Sequence, residues 1–224
     1  MIARLALAFV VLAWPAVVMA QQFGPAELPI RADDGVLMSN HRVTPEQAAQ
    51  IERMPGMIVV GNPNGDVTLV QFYDLNCPFC REAAADIDAL LRGDRALRLV
   101  FVPYPTLSVQ SIEGGRIELA LRELAPQRFL EFRKKIYAGR GIIDGNRALA
   151  VTDAMGLDRN KIIEVANAER TTATLRAHGQ LGSALKMVAT PSYVIGGVAI
   201  LGHPGLAPLQ QIVRAARTCK AAVC

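Results

Sequence analysis

Charge of one sign is nowhere concentrated in this sequence, although it contains 24 Lys and Arg residues against 20 Asp and Glu residues. The absence of a basic run excludes a polybasic membrane patch and the electrostatic footprint of a nucleic-acid-binding protein, so no nucleic-acid partner is expected. Cysteine is also scarce, with four residues in 224, which is too few for a disulfide-dense scaffold. The single tryptophan, Trp14, lies within the first 20 residues.

Long hydrophobic runs are missing after residue 20, but the first 20 residues form one. Arg4 supplies an early positive charge, an apolar run follows, and the small residues Val18 and Ala20 precede two glutamines. This order is typical of a cleaved secretory signal, so residues 1–20 are predicted to be removed on export. An uncleaved anchor is the alternative, but Pro15 interrupts a run that is short for a bilayer. Removal takes away one arginine and no acid, which lowers the net charge from +4 to +3.

The spacing of apolar residues predicts an α/β fold with a mixed central sheet flanked by helices. Residues 21–42 show no sustained period, and Thr44 is the predicted N-cap of a short helix that ends near residue 54. The predicted strands cover residues 57–60, 66–74, 97–104, 192–197 and 198–202. The predicted helices cover residues 80–92, most of 111–186, and 205–220.

The stretch DLNCPFC, residues 74–80, joins a buried strand to a helix and contains the most informative pair of side chains. A cysteine at a helix start faces free backbone N–H groups and the positive end of the helix dipole, which favours the thiolate. Cys77 is therefore the predicted nucleophile, and Pro78 suits the first helical position. Cys80 lies about one turn further on, close enough to form a disulfide with Cys77. We expect Cys77 to be the exposed partner and Cys80 the protected one.

Two other interpretations of this pair are weaker. A structural disulfide across so short a loop would restrict the unfolded chain very little. A zinc site needs two more ligands in a workable geometry, so no metal site is predicted. The side chains that could supply those ligands are Cys219, Cys224, His41, His178 and His203.

A second motif, ATPSYVIGG, places Pro191 at the start of a predicted strand. Proline has no N–H group to donate to the sheet at this position, so its presence needs a structural reason. A cis Thr190-Pro191 bond would turn the Thr190 backbone outward, where it could pair with an extended client chain beside Cys77. These two residues are therefore candidates for substrate binding.

The order of these motifs resembles the DsbA-like thiol–disulfide oxidoreductases of the bacterial cell envelope. The resemblance covers about residues 57–218 and implies a thioredoxin-like fold with an inserted all-helical block at about 109–186. It leaves residues 21–56 as an N-terminal extension with a short helix and residues 219–224 as a cysteine-containing tail. It also implies that Cys77 is the nucleophile, Cys80 the resolving cysteine and Thr190-Pro191 a cis dipeptide facing them, with Pro78 and Phe79 tuning the pair.

The resemblance further implies a periplasmic enzyme that exchanges disulfides with exported proteins, without an organic cofactor or metal. Acting as an oxidase, it would be reoxidised by a membrane protein such as a DsbB-like quinone reductase. The alternative within the class is a DsbG-like isomerase or reductase, kept reduced by a membrane electron donor. Outside the class, the alternatives are a peptide-binding chaperone and a metal-stress binding protein.

Three features depart from the DsbA pattern. Phe79 stands where DsbA has a histidine, and since phenylalanine cannot stabilise a thiolate we expect a less extreme oxidant. Gln71 stands where thioredoxin and DsbA carry a buried acid, so water or another group must move the proton of Cys80. Asp74, together with the threonine before Pro191, is more similar to the isomerase and DsbG-like branches.

Some side chains allow two interpretations. The helix at residues 44–54 either mediates oligomerisation or packs on its own domain, the commoner role of a short amphipathic helix. Cys219 and Cys224 form a tail disulfide if the chain turns back after Lys220; otherwise they are a free, regulatory or intermolecular pair. His203 either tunes Cys77 or is a solvated turn residue. The charged side chains of one helix are expected to form a solvated face: Glu131, Arg133, Lys134 and Lys135.

Overall fold

The structure, a computed structural model, describes residues 25–224, so the predicted signal at residues 1–20 lies outside the described residues. The strands of the described residues are β1 (Asn40–Arg42), β2 (Ile58–Gly61), β3 (Val67–Tyr73), β4 (Leu97–Pro103), β5 (Ser192–Ile195) and β6 (Val198–Leu201). The α-helices are α1 (Pro45–Glu52), α2 (Pro78–Gly93), α3 (Val109–Leu124), α4 (Phe129–Ala138), α5 (Gly145–Ala154), α6 (Arg159–Asn167), α7 (Glu169–Ala184) and α8 (Leu206–Cys219).

The six strands form one mixed sheet in the order β1-β6-β5-β3-β4-β2. The neighbours β3 and β4 are parallel and are connected through α2, whereas every other pair of neighbours is antiparallel. A parallel pair needs a crossover of this kind, because a tight turn reverses the chain direction. The predicted fold class, a mixed sheet flanked by helices with an inserted helical block, is confirmed.

The two central strands are buried on both faces, which explains their nearly continuous apolar sequence. Leu69 of β3 faces one core, shared with α2, α8 and the helical block. Val70 of the same strand faces a second core, shared with α1 and α7. Side chains that alternate between the faces of a strand therefore reach two separate sets of helices.

The helices between residues 109 and 184 share a core with the sheet. Phe129 and Phe132 of α4 are fully buried, and the ring centroids of Phe129 and Phe101 of β4 are 5.3 Å apart. The predicted helical insertion is thus packed against the sheet rather than set apart from it.

The tight connection between β5 and β6 is made by Gly196 and Gly197, which have φ values of 56° and 73°. Two consecutive residues with positive φ are the requirement of a two-residue turn whose twist matches the flanking strands. The hairpin predicted from the sequence at this position is confirmed.

The stretch before residue 43 is more regular than its sequence predicts. Residues 40–42 form the edge strand β1, which pairs with β6, and the Asn40 amide side chain binds both backbone groups of Leu28 at 2.8 and 2.9 Å. The sequence predicts no regular element here because a three-residue strand is too short to show alternation. Its structure is imposed by the strand beside it.

Helix α1 begins as predicted and packs on its own domain. Thr44 is its N-cap, and the Thr44 and Gln47 side chains form a reciprocal capping box. Ile51, together with Met54 just after the helix, is buried in the second core. The apolar side of this helix is therefore already used within the chain.

Candidate active site

Helix α2 begins at Pro78, with Cys77 as its N-cap in an extended conformation. The Cys77 side chain forms no capping hydrogen bond, so the first N–H groups of the helix remain available to a thiolate at this sulfur. Proline at the first helical position loses no helical hydrogen bond there. The helix start predicted between the two cysteines is confirmed.

Both cysteines are buried as thiols, with exposed fractions of 4% for Cys77 and 0% for Cys80. The prediction that Cys77 is an exposed side chain is wrong, although it remains the more accessible of the two. Phe79, between them, is 62% exposed. The reason is tertiary: the segment before β5 lies over Cys77 and covers it.

Thr190, 113 residues away in sequence, lies directly against Cys77. The peptide bond between Thr190 and Pro191 is cis. The Cys77 thiol donates to the Thr190 carbonyl oxygen, with Sγ and O 3.0 Å apart. The two sequence motifs therefore meet at one sulfur atom.

The two thiols have opposite pKa shifts. The pKa of Cys77 is lowered to about 6, first by a hydrogen bond from the Cys80 thiol and further by the Thr190 side chain and the N–H groups of Cys80 and Phe79. Burial raises the pKa of Cys80, and a thiolate at Cys77 raises it further. Cys77 is thus stabilised as a thiolate, whereas Cys80 is stabilised as a protonated thiol.

We expect the rate of Cys77 alkylation by iodoacetamide to follow its thiolate, with a midpoint near pH 6. About nine-tenths of the residue is thiolate at pH 7, and the rate falls as the pH drops through the midpoint. Cys80→Ala removes the main stabilising donor and moves the midpoint upward, whereas Cys80→Ser keeps a hydroxyl donor and moves it less. Mass spectrometry of peptides alkylated across pH 4–9 measures all three curves. A midpoint above pH 8 in the unsubstituted protein would contradict this assignment.

The residues before Cys77 hold the loop in place. Asp74 is buried and accepts hydrogen bonds from the backbone N–H groups of Asn76, Thr106 and Leu107, at 2.8, 2.9 and 3.0 Å. The Asn76 side chain exchanges two hydrogen bonds with the backbone of Ile143, at 2.7 and 2.8 Å. Asp74 therefore organises the loop, and Asn76 ties it to the helical block.

Gln71 lies fully buried on β3, and its amide donates to the Tyr193 hydroxyl at 3.3 Å. His203 is not a solvated turn residue. Its ring nitrogens bind the Tyr193 hydroxyl at 2.8 Å and the Asp86 carboxylate at 2.9 Å, and its side chain is 15% exposed. The prediction of a solvated turn histidine fails because β5 and α2 supply partners far away in sequence.

A buried charged cluster on the α4 side was missed in the sequence. Arg133 was assigned to a solvated face, but it is 2% exposed and its guanidinium lies 4.3 Å from the Phe101 ring centroid. Glu118 of α3 is also buried and accepts a hydrogen bond from the Tyr73 hydroxyl at 2.7 Å. Burial raises the pKa of Glu118 to about 8. Helical spacing could have indicated the burial of Arg133, because it follows the apolar residue Phe129 by four positions and so lies on the same helix face.

The remaining two cysteines, Cys219 and Cys224, are joined by a disulfide. The chain turns back at Lys220, whose φ of 57° ends α8 in the left-handed conformation. Ala222 is then buried against the β5–β6 turn. Its backbone nitrogen lies so close to Gly196 that a Cβ atom added to this glycine would be only 2.6 Å away. The tail is thus packed on the sheet.

Within residues 25–224, no group of three or more His, Cys, Asp or Glu side chains is arranged to hold a metal ion. No helix in the same range is both long and apolar enough to cross a membrane.

A family model described as Thioredoxin matches residues 53–215. Among solved structures, the chain is similar to a thioredoxin-like oxidoreductase from Silicibacter pomeroyi DSS-3. The two share 31% identity and a TM-score of 0.70, over 75% of this chain and 96% of that one. No curated protein matches the chain significantly.

Two more distant structures share the fold. The thiol-disulfide exchange protein alpha-DsbA2 from Wolbachia pipientis is 22% identical with a TM-score of 0.70, over 75% of this chain and 91% of that one. A periplasmic thioredoxin-like protein from Salmonella enterica serovar Typhimurium is 22% identical with a TM-score of 0.66, over 78% and 97%. The DsbA-like resemblance stated from the motifs is confirmed at the level of fold.

Proposed function

Because this chain belongs to the thioredoxin family and is a thiol–disulfide oxidoreductase of DsbA-like fold, we propose that it exchanges disulfides through Cys77 and Cys80. The observation that carries this proposal is the opposite polarisation of two thiols one helical turn apart. Cys77 is stabilised as a thiolate, and Cys80 is buried and held protonated. This is the division of labour that a nucleophilic and a resolving cysteine require.

The proposed oxidation of a client begins with the Cys77–Cys80 disulfide. A client thiolate attacks Sγ of Cys77, a mixed disulfide forms, and Cys80 leaves as a thiolate that takes up a proton. A second client thiolate then attacks the client sulfur of the mixed disulfide, and Cys77 leaves as a thiolate. Two electrons pass from the client to the pair, the client gains a disulfide, and no other reactant is consumed.

The lowered pKa of Cys77 favours the oxidase direction. A stable leaving thiolate departs faster, and stabilisation of the reduced pair makes its disulfide a stronger oxidant. Phe79 supplies no donor to Cys77 beyond its backbone N–H, so the proposed oxidant is milder than DsbA. An isomerase or reductase of the DsbG-like type uses the same cysteines and remains the alternative.

Exported proteins are the proposed clients. Apolar side chains are exposed on three segments that adjoin the site: Phe79 at 62%, beside both cysteines, Ile142 at 67%, beside the loop that Asn76 binds, and Val188 at 65%, two residues before Thr190. Exposed apolar side chains of this kind suit an unfolded chain with unpaired cysteines. Thr190 and Pro191 are the proposed substrate-binding residues, and Pro78 and Phe79 the proposed tuning dipeptide.

The proposed location is the periplasm, and the proposed membrane partner is a DsbB-like protein that reoxidises the pair. The signal-like pattern at residues 1–20 supports export, and the Cys219–Cys224 disulfide suits an oxidising compartment. The proposed organisation is an N-terminal extension at residues 21–56, a catalytic domain at residues 57–218 and a disulfide-bonded tail at residues 219–224. No organic cofactor or metal is part of this proposal.

The reduction potential of the Cys77–Cys80 pair tests the proposed direction. We expect a value between about −120 and −180 mV, the range of disulfide donors and isomerases. Equilibration in glutathione buffers, thiol trapping and mass spectrometry give the value, with Cys219 and Cys224 scored separately. A potential near about −270 mV, as in a thioredoxin-like reductant, would overturn the oxidase assignment.

A further inference from the structure

Four side chains form a continuous hydrogen-bonded chain from the buried side of the sheet to the protein surface. Gln71 of β3 and Tyr193 of β5 are opposite each other in the sheet and are fully buried. The Gln71 amide donates to the Tyr193 hydroxyl at 3.3 Å. The hydroxyl lies 2.8 Å from Nδ1 of His203, and Nε2 of His203 lies 2.9 Å from Oδ2 of Asp86. The Asp86 side chain is 36% exposed, so the chain ends in solvent.

The chemistry of the two ends sets the direction of every hydrogen bond between them. An amide N–H can only donate and a carboxylate can only accept. The Tyr193 hydroxyl accepts from Gln71, so its own proton points to Nδ1 of His203. The His203 ring then carries its proton on Nε2, directed at Asp86. This tautomer leaves a lone pair on Nδ1 facing the phenol, which is the arrangement of a base poised to accept a proton.

This chain lies in the same core as the redox pair, and no hydrogen bond joins Tyr193 to either cysteine in the reduced protein. Tyr193, Cys77 and Cys80 belong to the same buried core on the α2 side of the sheet. Among the charges that act on the Tyr193 phenol, Cys80 has the largest effect, ahead of Arg133 and Asp86. Burial raises the pKa of Tyr193 well above its usual range, so the phenol stays protonated and can pass a proton only by receiving another.

We propose that Tyr193 and His203 form a proton relay that serves Cys80, with Asp86 positioning the His203 ring. This relay takes over the task that a buried acid at residue 71 would perform and that Gln71 cannot. The inference rests on the proposed thiol–disulfide exchange at Cys77 and Cys80. In this relay His203 accepts the proton and Tyr193 transfers it. Gln71 donates the hydrogen bond that orients the phenol.

The proposed step balances without an external reactant. Cys77 begins as a mixed disulfide with a client sulfur, and Cys80 begins as a thiol. The step requires the Cys80 thiol to reach the Tyr193 oxygen; its proton then passes to that oxygen while the Tyr193 proton passes to Nδ1 of His203. The Cys80 thiolate attacks Sγ of Cys77, and the client sulfur leaves with the electron pair of the broken S–S bond. His203, now an imidazolium held by Asp86, returns its proton to solvent; the reverse path protonates Cys80 when its disulfide is opened.

Release of glutathione from a Cys77–glutathione mixed disulfide isolates this step. We expect Tyr193→Phe and His203→Ala to slow release about tenfold or more near pH 7, within the range of lost acid–base catalysis. The deficit should shrink as the pH rises, because hydroxide then removes the Cys80 proton directly. Added imidazole should restore the rate of His203→Ala and leave Tyr193→Phe slow. Stopped-flow mixing with acid quench and mass spectrometry across pH 5.5–9 measures these rates.

Tyr73→Phe is the matched control, because it removes a buried hydroxyl on the same sheet face that binds Glu118 and not the relay. It should change the rate by less than about twofold, since it leaves the proton path intact. Wild-type rates in both relay variants, or equal slowing by Tyr73→Phe, would overturn the relay. If Tyr193→Phe does not fold, two other measurements test the relay. These are His203→Ala with added imidazole and Asp86→Asn, whose side chain lies near the surface. A wild-type protein that fails to release glutathione would instead overturn the proposed function.

Discussion

Cys77→Ser is expected to abolish disulfide exchange with reduced client proteins, with a loss of about a thousandfold or more. Cys77 is the only free thiol of the described residues whose pKa is lowered, and the thiolate rather than the thiol is the nucleophile. A serine hydroxyl at the same helix start is not ionised near neutral pH, so neither attack nor departure at this atom can occur. Oxidation of a reduced test protein, followed by mass spectrometry, measures the loss.

Cys80→Ser should give a different defect. Cys77 keeps a hydroxyl donor beside it and can still attack, but no second sulfur remains to resolve the mixed disulfide. We therefore expect this variant to accumulate covalent complexes with client proteins that disappear on addition of dithiothreitol. Non-reducing gels of the variant incubated with oxidised clients show these complexes. Equal accumulation with Cys77→Ser would reverse the assigned order of the two cysteines.

The tail disulfide provides the control for both variants. The double variant Cys219→Ser and Cys224→Ser should retain the exchange rate of the wild type, because these sulfurs are bonded to each other at the end of α8. Loss of exchange in this double variant would place the functional thiols in the tail. Retention of client protection against aggregation by a Cys77→Ser and Cys80→Ser double variant would support the chaperone alternative.

Phe129→Ala is expected to lower the free energy of unfolding by about 3–5 kcal/mol. The Phe129 ring is fully buried between α4 and the sheet, where it contacts Phe101, so its removal leaves a cavity at the junction of the two. Such a loss corresponds to a fall of about 1–2 M in the urea midpoint. Equilibrium urea unfolding followed by far-UV circular dichroism measures it.

Phe79→Ala is the matched substitution on the surface. The Phe79 side chain is 62% exposed, so its truncation should change the free energy of unfolding by less than about 0.5 kcal/mol.

Because the helical block and the sheet share one core, the Phe129→Ala variant should unfold in one transition. Two separate transitions, with only the helical block weakened, would show that the insertion folds independently.

The redox pair could be read from the sequence because its chemistry is local. A proline after Cys77, a second cysteine three positions further on and an apolar helical period together specify a cysteine at a helix start. The parallel strands on either side of α2 were also predictable, since each is a continuous apolar run bounded by turn residues. The edge strand β1 was not, because three residues carry no period and the strand depends on β6 for its hydrogen bonds.

Only the tertiary structure decided how the site is completed. Thr190 meets Cys77 across 113 residues, His203 meets Asp86 across 117 and Gln71 meets Tyr193 across 122. Sequence periods describe one element at a time and say nothing about which polar side chains of distant elements meet. The local pattern therefore determined the candidate nucleophile, its helix and the fold class. The burial of Cys77, the pKa values of the pair and the route for the Cys80 proton follow from the packing of β5 and α2 against the sheet.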